Sequence, residues 1–189
     1  MTLDSIPRQR LDRVVVIGSS CAGKTTFARK LAAILACPAI QLDELYWGPN
    51  WNARSPDEFA KLADAATSAP RWVVDGNYSV IRDLVWPRAT AIVWLNIGFC
   101  TVLVRALRRT LMRSVTGELL YAGNRESLRR AFFSRDSILL WVLKTYGDRR
   151  RRFSTLRAHC TYPAAEWVEF RNSGDVAAFL HGVRNALAQ

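Results

Sequence analysis

Short, almost wholly apolar runs alternate along the chain with longer amphipathic stretches. The runs are Arg13 to Ile17, Ala39 to Leu42, Arg71 to Val74, Ala89 to Leu95 and Glu166 to Phe170, rich in Val, Ile and Trp. Strands covered on both faces read as continuous apolar runs, and strands separated by helices pair in parallel. The pattern therefore predicts an α/β fold: a five-stranded parallel sheet with helices on both faces. Helical periodicity follows the first run from about Lys24 to Ala36. Ser55-Pro56-Asp57-Glu58 supplies an N-cap serine, a proline at the first helical position and a capping-box glutamate, so a second helix starts there. Trp86-Pro87 ends a short helix after Ser79. Phe99 to Val115 and Leu128 to Lys144 read as longer helices flanking Gly117 to Arg125, and a last helix begins after Ser173.

With 189 residues, half of them hydrophobic, there is material for one substantial core and too little for two. One domain over residues 1–189 is expected, with the segment of about 110–130 as a mobile lid. The longest apolar runs, such as Ile138 to Leu143, fall far short of the roughly 20 residues that span a bilayer, so no membrane association is expected. Met1 to Asp12 carries Asp4, Arg8, Arg10 and Asp12 and has no apolar core, unlike a secretory signal; a cytoplasmic location follows as an expectation. Cys21, Cys37, Cys100 and Cys160 are scattered, without a C-x-x-C pair, and suit a reducing compartment. In that compartment the glycosylation match at Asn77-Tyr78-Ser79 is accidental.

The formal charge of +11 is concentrated. Residues 97–160 hold thirteen arginines and Lys144 against Glu118, Glu126, Asp136 and Asp148, a net charge of +10. Charge piled onto one third of a chain argues for an anionic partner there, and arginine, with its planar fork, suits phosphate oxygens. A G+C-rich genome would enrich arginine as well.

The chemistry starts at Gly18-Ser19-Ser20-Cys21-Ala22-Gly23-Lys24-Thr25, between the first apolar run and the first helix. Two glycines allow a tight turn whose N–H groups face one concavity, and the following helix adds its positive end, so an anion of phosphate shape fits. Lys24 would reach the β- and γ-phosphates of a nucleoside triphosphate, and Thr25 would offer a hydroxyl to Mg²⁺. The loop residues Gly18, Ser19, Ser20, Cys21, Ala22, Gly23, Lys24, Thr25 and Thr26 are thus the candidate ATP-binding set.

In parallel α/β sheets, ligands gather at the carboxyl ends of the strands. Asp75 stands at one such end and would hold Mg²⁺ with Thr25, its other use being to cap the turn at Gly76-Asn77. Asp43, preferred over Glu44, would accept the proton of an incoming hydroxyl or hold the acceptor; an exposed loop acid is the alternative. Tyr46, Trp47 and Trp51 would form an aromatic wall for a flat acceptor or else pack in the core. Arg105, Arg109 and Arg113 recur at helical spacing with Arg108 beside them. As a set they would stabilise a transferring phosphoryl group, whereas any one alone reads as a solvated surface arginine. Arg149 to Arg152 covers every side of a helix and reads as solvated or facing nucleic acid.

On Gly18 to Thr26, Leu42-Asp43-Glu44-Leu45-Tyr46-Trp47 and Val74-Asp75-Gly76-Asn77-Tyr78, the chain resembles bacterial P-loop proteins related to adenylate kinase, often labelled DNA topology modulation proteins. The resemblance runs from about residue 13 to 180. It implies a nucleoside-kinase-like fold, ATP on the phosphate loop, Asp75 near Mg²⁺ and lid arginines among Arg108, Arg109 and Arg113. Adenylate kinases carry Asp-Gly-Phe-Pro-Arg where this chain has Asp75 to Ser79, so an arginine for the acceptor phosphate is missing, with Arg82 as a replacement candidate. The expectation is a P-loop kinase that uses ATP and Mg²⁺, with Lys24, Asp43, Arg109 and Arg113 as catalytic candidates, Arg108 beside the nucleotide, and a small-molecule acceptor. The alternative is a nucleic-acid-binding ATPase or regulator of DNA topology.

Overall fold

A computed structural model describes residues 11–116 and 138–188, with side chains over 11–112 and 144–188. Its strands are β1 (Arg13–Gly18), β2 (Ala39–Gln41), β3 (Trp72–Asp75), β4 (Ala91–Leu95) and β5 (Glu166–Phe170). All pairings are parallel, in the order β2-β3-β1-β4-β5. The helices are α1 (Lys24–Leu35), α2 (Leu42–Tyr46), α3 (Pro56–Ala66), α4 (Arg82–Val85), α5 (Phe99–Thr116), α6 (Ile138–Ala158) and α7 (Ser173–Ala188), with single 3₁₀ turns at Pro49–Trp51, Ser79–Ile81 and Trp86–Arg88.

Alternation along buried strands gives the sheet two dry faces. On one, Val14 and Val16 of β1 and Val93 and Leu95 of β4 meet Phe27 and Leu31 of α1, Val102 and Ala106 of α5, and Phe179 of α7. Phe27, Phe170 and Phe179 form an aromatic trio there, with ring centroids 5.1–6.2 Å apart. On the other face, Val15, Ile17, Trp72, Val74, Ile92 and Trp94 are covered by Phe59 of α3, Ile81, Val85, Trp86 and, from α6, Phe153. Through Phe153, helix α6 thus packs on the same side of the sheet as α3 and α4.

Local chemistry explains the boundaries. The Ser55 hydroxyl accepts the Glu58 N–H at 3.2 Å, the expected cap of α3. Helix α1 ends at Ala36, which turns left-handed and donates to Ala32 and Ala33. Three expected elements need correction. Leu42 leaves β2 and opens α2, so Asp43 and Glu44 sit in the first turn of a short helix rather than in a loop. β4 begins at Ala91 rather than Ala89, because Ala89 caps the 3₁₀ turn at Trp86–Arg88 by donating to the Trp86 carbonyl. The helix expected to close at Lys144 runs on to Ala158, through Gly147, whose missing side chain faces open space and costs the helix only about 1 kcal/mol. Its expected start at Leu128, and most of the segment expected as a lid, lie outside the described residues. Among the described residues, no helix is long and apolar enough to cross a membrane.

Candidate active site

β1 delivers the chain to Gly18 with φ +153°, where an added Cβ would stand 2.7 Å from the Leu95 carbonyl oxygen of the neighbouring strand. Only glycine allows β1 and β4 to stay this close while the chain turns away. The Ala22 N–H closes the loop on the Ser19 carbonyl at 3.2 Å, and Gly23, at φ +99°, starts α1 without a capping side chain. In this loop Gly18, Ser19 and Ala22 are buried, Ser20, Cys21, Gly23, Lys24 and Thr25 are half-buried, and Thr26 is exposed.

The Lys24 ammonium donates to the Ser19 carbonyl at 3.0 Å, folded back over its own loop. Burial pushes its pKa down, the Arg149 cation adds to that, and Asp75 and Asp43 oppose it. The Thr25 hydroxyl donates to the Asp75 carboxylate at 2.6 Å, joining the first turn of α1 to the tip of β3. Asp75 is only 5% exposed. Burial raises its pKa, against the Thr25 hydrogen bond and the Lys24 charge, which lower it. Next along the chain, Asn77 donates to the Gly18 carbonyl at 2.5 Å and accepts the Gly18 N–H at 3.3 Å. The Tyr78 hydroxyl then donates to Asp43 at 2.6 Å. One four-residue strap, Asp75 to Tyr78, therefore grips Thr25, the head of the phosphate loop and the acid on α2.

The residues fit a nucleoside triphosphate and its metal. A buried Ser19 hydroxyl has no hydrogen-bond partner among the described residues and lies in the loop where phosphate oxygens would accept from it. Thr25 and Asp75 pair a hydroxyl with a carboxylate, hard oxygen donors of the kind Mg²⁺ takes while keeping several waters. Among the described residues, no three His, Cys, Asp or Glu side chains converge, so such an ion would rely on these two groups and on substrate phosphates.

Arginines approach from two helices. Arg105 of α5 donates to the Ala22 carbonyl at 2.9 Å and to the Ser173 hydroxyl at 2.7 Å, tying the loop to the start of α7. Arg108 is exposed and Arg109 half-buried. No contact joins either to the loop among the described residues, and the side chain of Arg113 lies outside them. A further cation near the site is Arg149 of α6, which with Arg150 and Phe153 lines a small cavity beside Ser19. Burial holds its pKa below the usual arginine value, opposed by the negative fields of Asp43 and Tyr78. The expectation that Arg149 to Arg152 is solvated thus holds for Arg150, Arg151 and Arg152, which are exposed, and fails for Arg149. The structural reason is packing: Phe153 and Leu156 turn into the core, and Arg149, four residues before Phe153, follows the same inward stripe.

The aromatic loop divides. Tyr46 packs against Phe59 and Tyr78, with centroids 5.2 and 4.7 Å away, and serves the core. Trp47 and Trp51, half-buried, pack edge-to-face on each other at 5.6 Å just after α2. Arg54 fastens this loop by donating to the Leu45 carbonyl at 2.6 Å.

No family model and no curated protein matches the chain. Solved structures do. A gluconokinase from Sinorhizobium meliloti 1021 superposes with a TM-score of 0.52 at 18% identity, covering 96% of this chain and 94% of its own. A shikimate kinase from Bacteroides thetaiotaomicron gives 0.52 at 15%, covering 94% and 99%. The shikimate kinase from Acinetobacter baumannii in complex with shikimate gives 0.51 at 17%, covering 94% and 93%. The fold is that of the P-loop kinases. In this chain the five-stranded parallel sheet expected from the apolar runs carries the Gly18–Thr25 loop between β1 and α1, with Asp43 and Asp75 after β2 and at the tip of β3.

The two shifted groups predict the pH dependence of nucleotide use. If ATP with Mg²⁺ is bound by ionised Asp75 and protonated Lys24, kcat/KM reports their pKa values in the free protein. The acid limb should then lie above the ordinary aspartate range and the alkaline limb below the ordinary lysine range, giving a bell narrower on both sides. Asp75→Asn should remove the acid limb. A profile whose acid limb is unchanged in that variant would assign the limb to another group.

Proposed function

We propose that this protein is a P-loop phosphotransferase that moves the γ-phosphoryl group of ATP to a hydroxyl or phosphate oxygen of a small acceptor. The observation that carries the reading is the strap from Asp75 to Tyr78. It ties the metal-ligand pair, the phosphate loop and an acceptor-side carboxylate into one unit, as a donor and an acceptor held in line require. Lys24 holds the phosphate tail, Thr25 and Asp75 would hold Mg²⁺, and that ion would neutralise charge between the β- and γ-phosphates. Asp43 lies half-buried at the acceptor end and takes the proton of the acceptor hydroxyl. The acceptor oxygen forms its bond to the γ-phosphorus as the bond from that phosphorus to the β,γ-bridging oxygen breaks, and ADP leaves with the electron pair. Arg149, between Lys24 and Asp43 by the fields it exerts on one and feels from the other, balances charge on the equatorial oxygens. Arg108, Arg109 and Arg113 of α5 are further cations that would serve the transferring group.

The test is purified protein with ATP, Mg²⁺ and a panel of sugar acids, polyols, nucleosides and nucleotides, scored by a gain of one phosphoryl mass. We expect one acceptor class to gain it with release of ADP. No gain across the panel, with no ADP formed, would remove the transferase reading.

A further inference from the structure

Between α6 and the carboxyl ends of β4 and β5 lies a cavity of about 410 Å³. Trp94 and Glu169 are partners in the parallel register of β4 and β5, so both side chains leave the sheet on the face that α6 covers. Trp94, buried against Phe153 with ring centroids 6.0 Å apart, lines the inner side. Helix α6 contributes Arg150, Ser154 and Arg157, which recur at i, i+4 and i+7 and so share one face. Arg171, the first residue after β5, completes the wall.

One carboxylate stands among these three guanidiniums, and it is already supplied with donors. Glu169, its side chain only 11% exposed, accepts from Asn96 at 2.7 Å and from the Arg171 Nε at 2.9 Å on one oxygen, and from Arg157 on the other. Arg157 and Arg171 each reach it through a single nitrogen, so most of the donors of each fork stay uncommitted among the described residues. Arg150 pairs with none of the described acids, and nearby Asp148 is taken by Arg151. Three cations and one anion leave the cavity wall with a net charge of +2. Bracing α6 against β5 accounts for Arg157 and Arg171. It does not account for Arg150 lining the same hollow, where like charges repel until an anion joins them.

This cavity is distinct from the phosphate loop. The hollow beside Ser19 holds only about 10 Å³, at most one water, and Trp94, Asn96 and Arg150 are the wall between the two.

We propose that the larger cavity is a second anion site, for a small phosphate-bearing molecule. The phosphate sits among Arg150, Arg157 and Arg171, whose planar forks suit its oxygens, and the Ser154 hydroxyl meets the polar remainder of the ligand. Glu169 holds two of the forks in place. The volume is in the range of small-molecule sites and leaves room for more than a bare phosphate ion.

Calorimetric titration of inorganic phosphate and of glucose 6-phosphate, with glucose as the neutral counterpart, into the parent and Lys24→Ala proteins tests the site. We expect at least one phosphate probe to bind, to the same extent in both proteins, and glucose to bind neither. Arg150→Gln, at an exposed position with no ion pair to lose, should fold and should weaken that binding about tenfold or more, the loss of one charge-assisted contact. Binding of neither phosphate, binding abolished by Lys24→Ala, or binding indifferent to Arg150→Gln overturns the proposal. Duplex DNA that binds through Arg150 where the phosphate probes do not would assign these cations to nucleic acid instead. The transferase reading stands or falls separately, on ATP binding and ADP formation.

Discussion

Lys24→Ala should lower kcat for phosphoryl transfer about a thousandfold, within the range seen when one preorganised cation is removed from a phosphoryl-transfer site. The size follows from where the ammonium stands. It is held on the Ser19 carbonyl at 3.0 Å, inside the loop that would receive the phosphates, and its field acts on Asp75 as well. A cation in that place acts in a low-dielectric setting, where charge stabilisation is worth far more than at a surface. Lys24→Arg should rescue little, because a planar fork does not replace a compact point charge in a tight turn. Single-turnover ADP release, with circular dichroism to confirm folding, checks the result. A variant within tenfold of the parent rate would take the loop out of the chemistry.

The sheet was legible because burial on both faces demands unbroken apolar runs, and its strands begin and end within two residues of the positions read from the pattern. That the Gly18–Thr25 loop turns between β1 and α1 and that Asp75 stands at the tip of β3 was legible, because glycine placement and the ends of the apolar runs mark both positions. What the sequence left hidden are long-range pairings. Asn77 grips Gly18 and Tyr78 grips Asp43 across 59 and 35 residues, and nothing in local pattern distinguishes them from ordinary turn residues. Arg149 was hidden by its neighbours: in a run of four arginines, only the packing of Phe153 decides which one faces inward. Arg105 shows the opposite case. Its helical spacing with Arg109 suggested a phosphate-facing row, whereas its contacts brace the loop's backbone against α7.

Asp43→Asn carries the second large expectation, a fall in kcat of about 10²–10⁴-fold, the usual contribution of a positioned general base. The substitution is chosen to keep structure: an asparagine side-chain oxygen still accepts the Tyr78 hydroxyl, which now lies 2.6 Å from the carboxylate. Charge and proton-accepting power are lost while the shape stays. Tyr78→Phe makes the complementary change, sparing the carboxylate and keeping the ring in its contacts with Tyr46 and Phe59 at 4.7 and 5.0 Å. If Asp43 takes the acceptor's proton, Asp43→Asn should depress kcat with nucleotide affinity nearly unchanged. Tyr78→Phe should then act mainly on the acceptor KM, by about tenfold or less, as loss of one neutral donor to a charged acceptor implies. If Asp43 only anchors Tyr78, the order reverses: Tyr78→Phe would cost as much as Asp43→Asn, and the double variant no more than either. Initial rates over acceptor concentration for the parent, the two single variants and the double variant separate these cases, because a base and an anchor give different couplings in the same cycle.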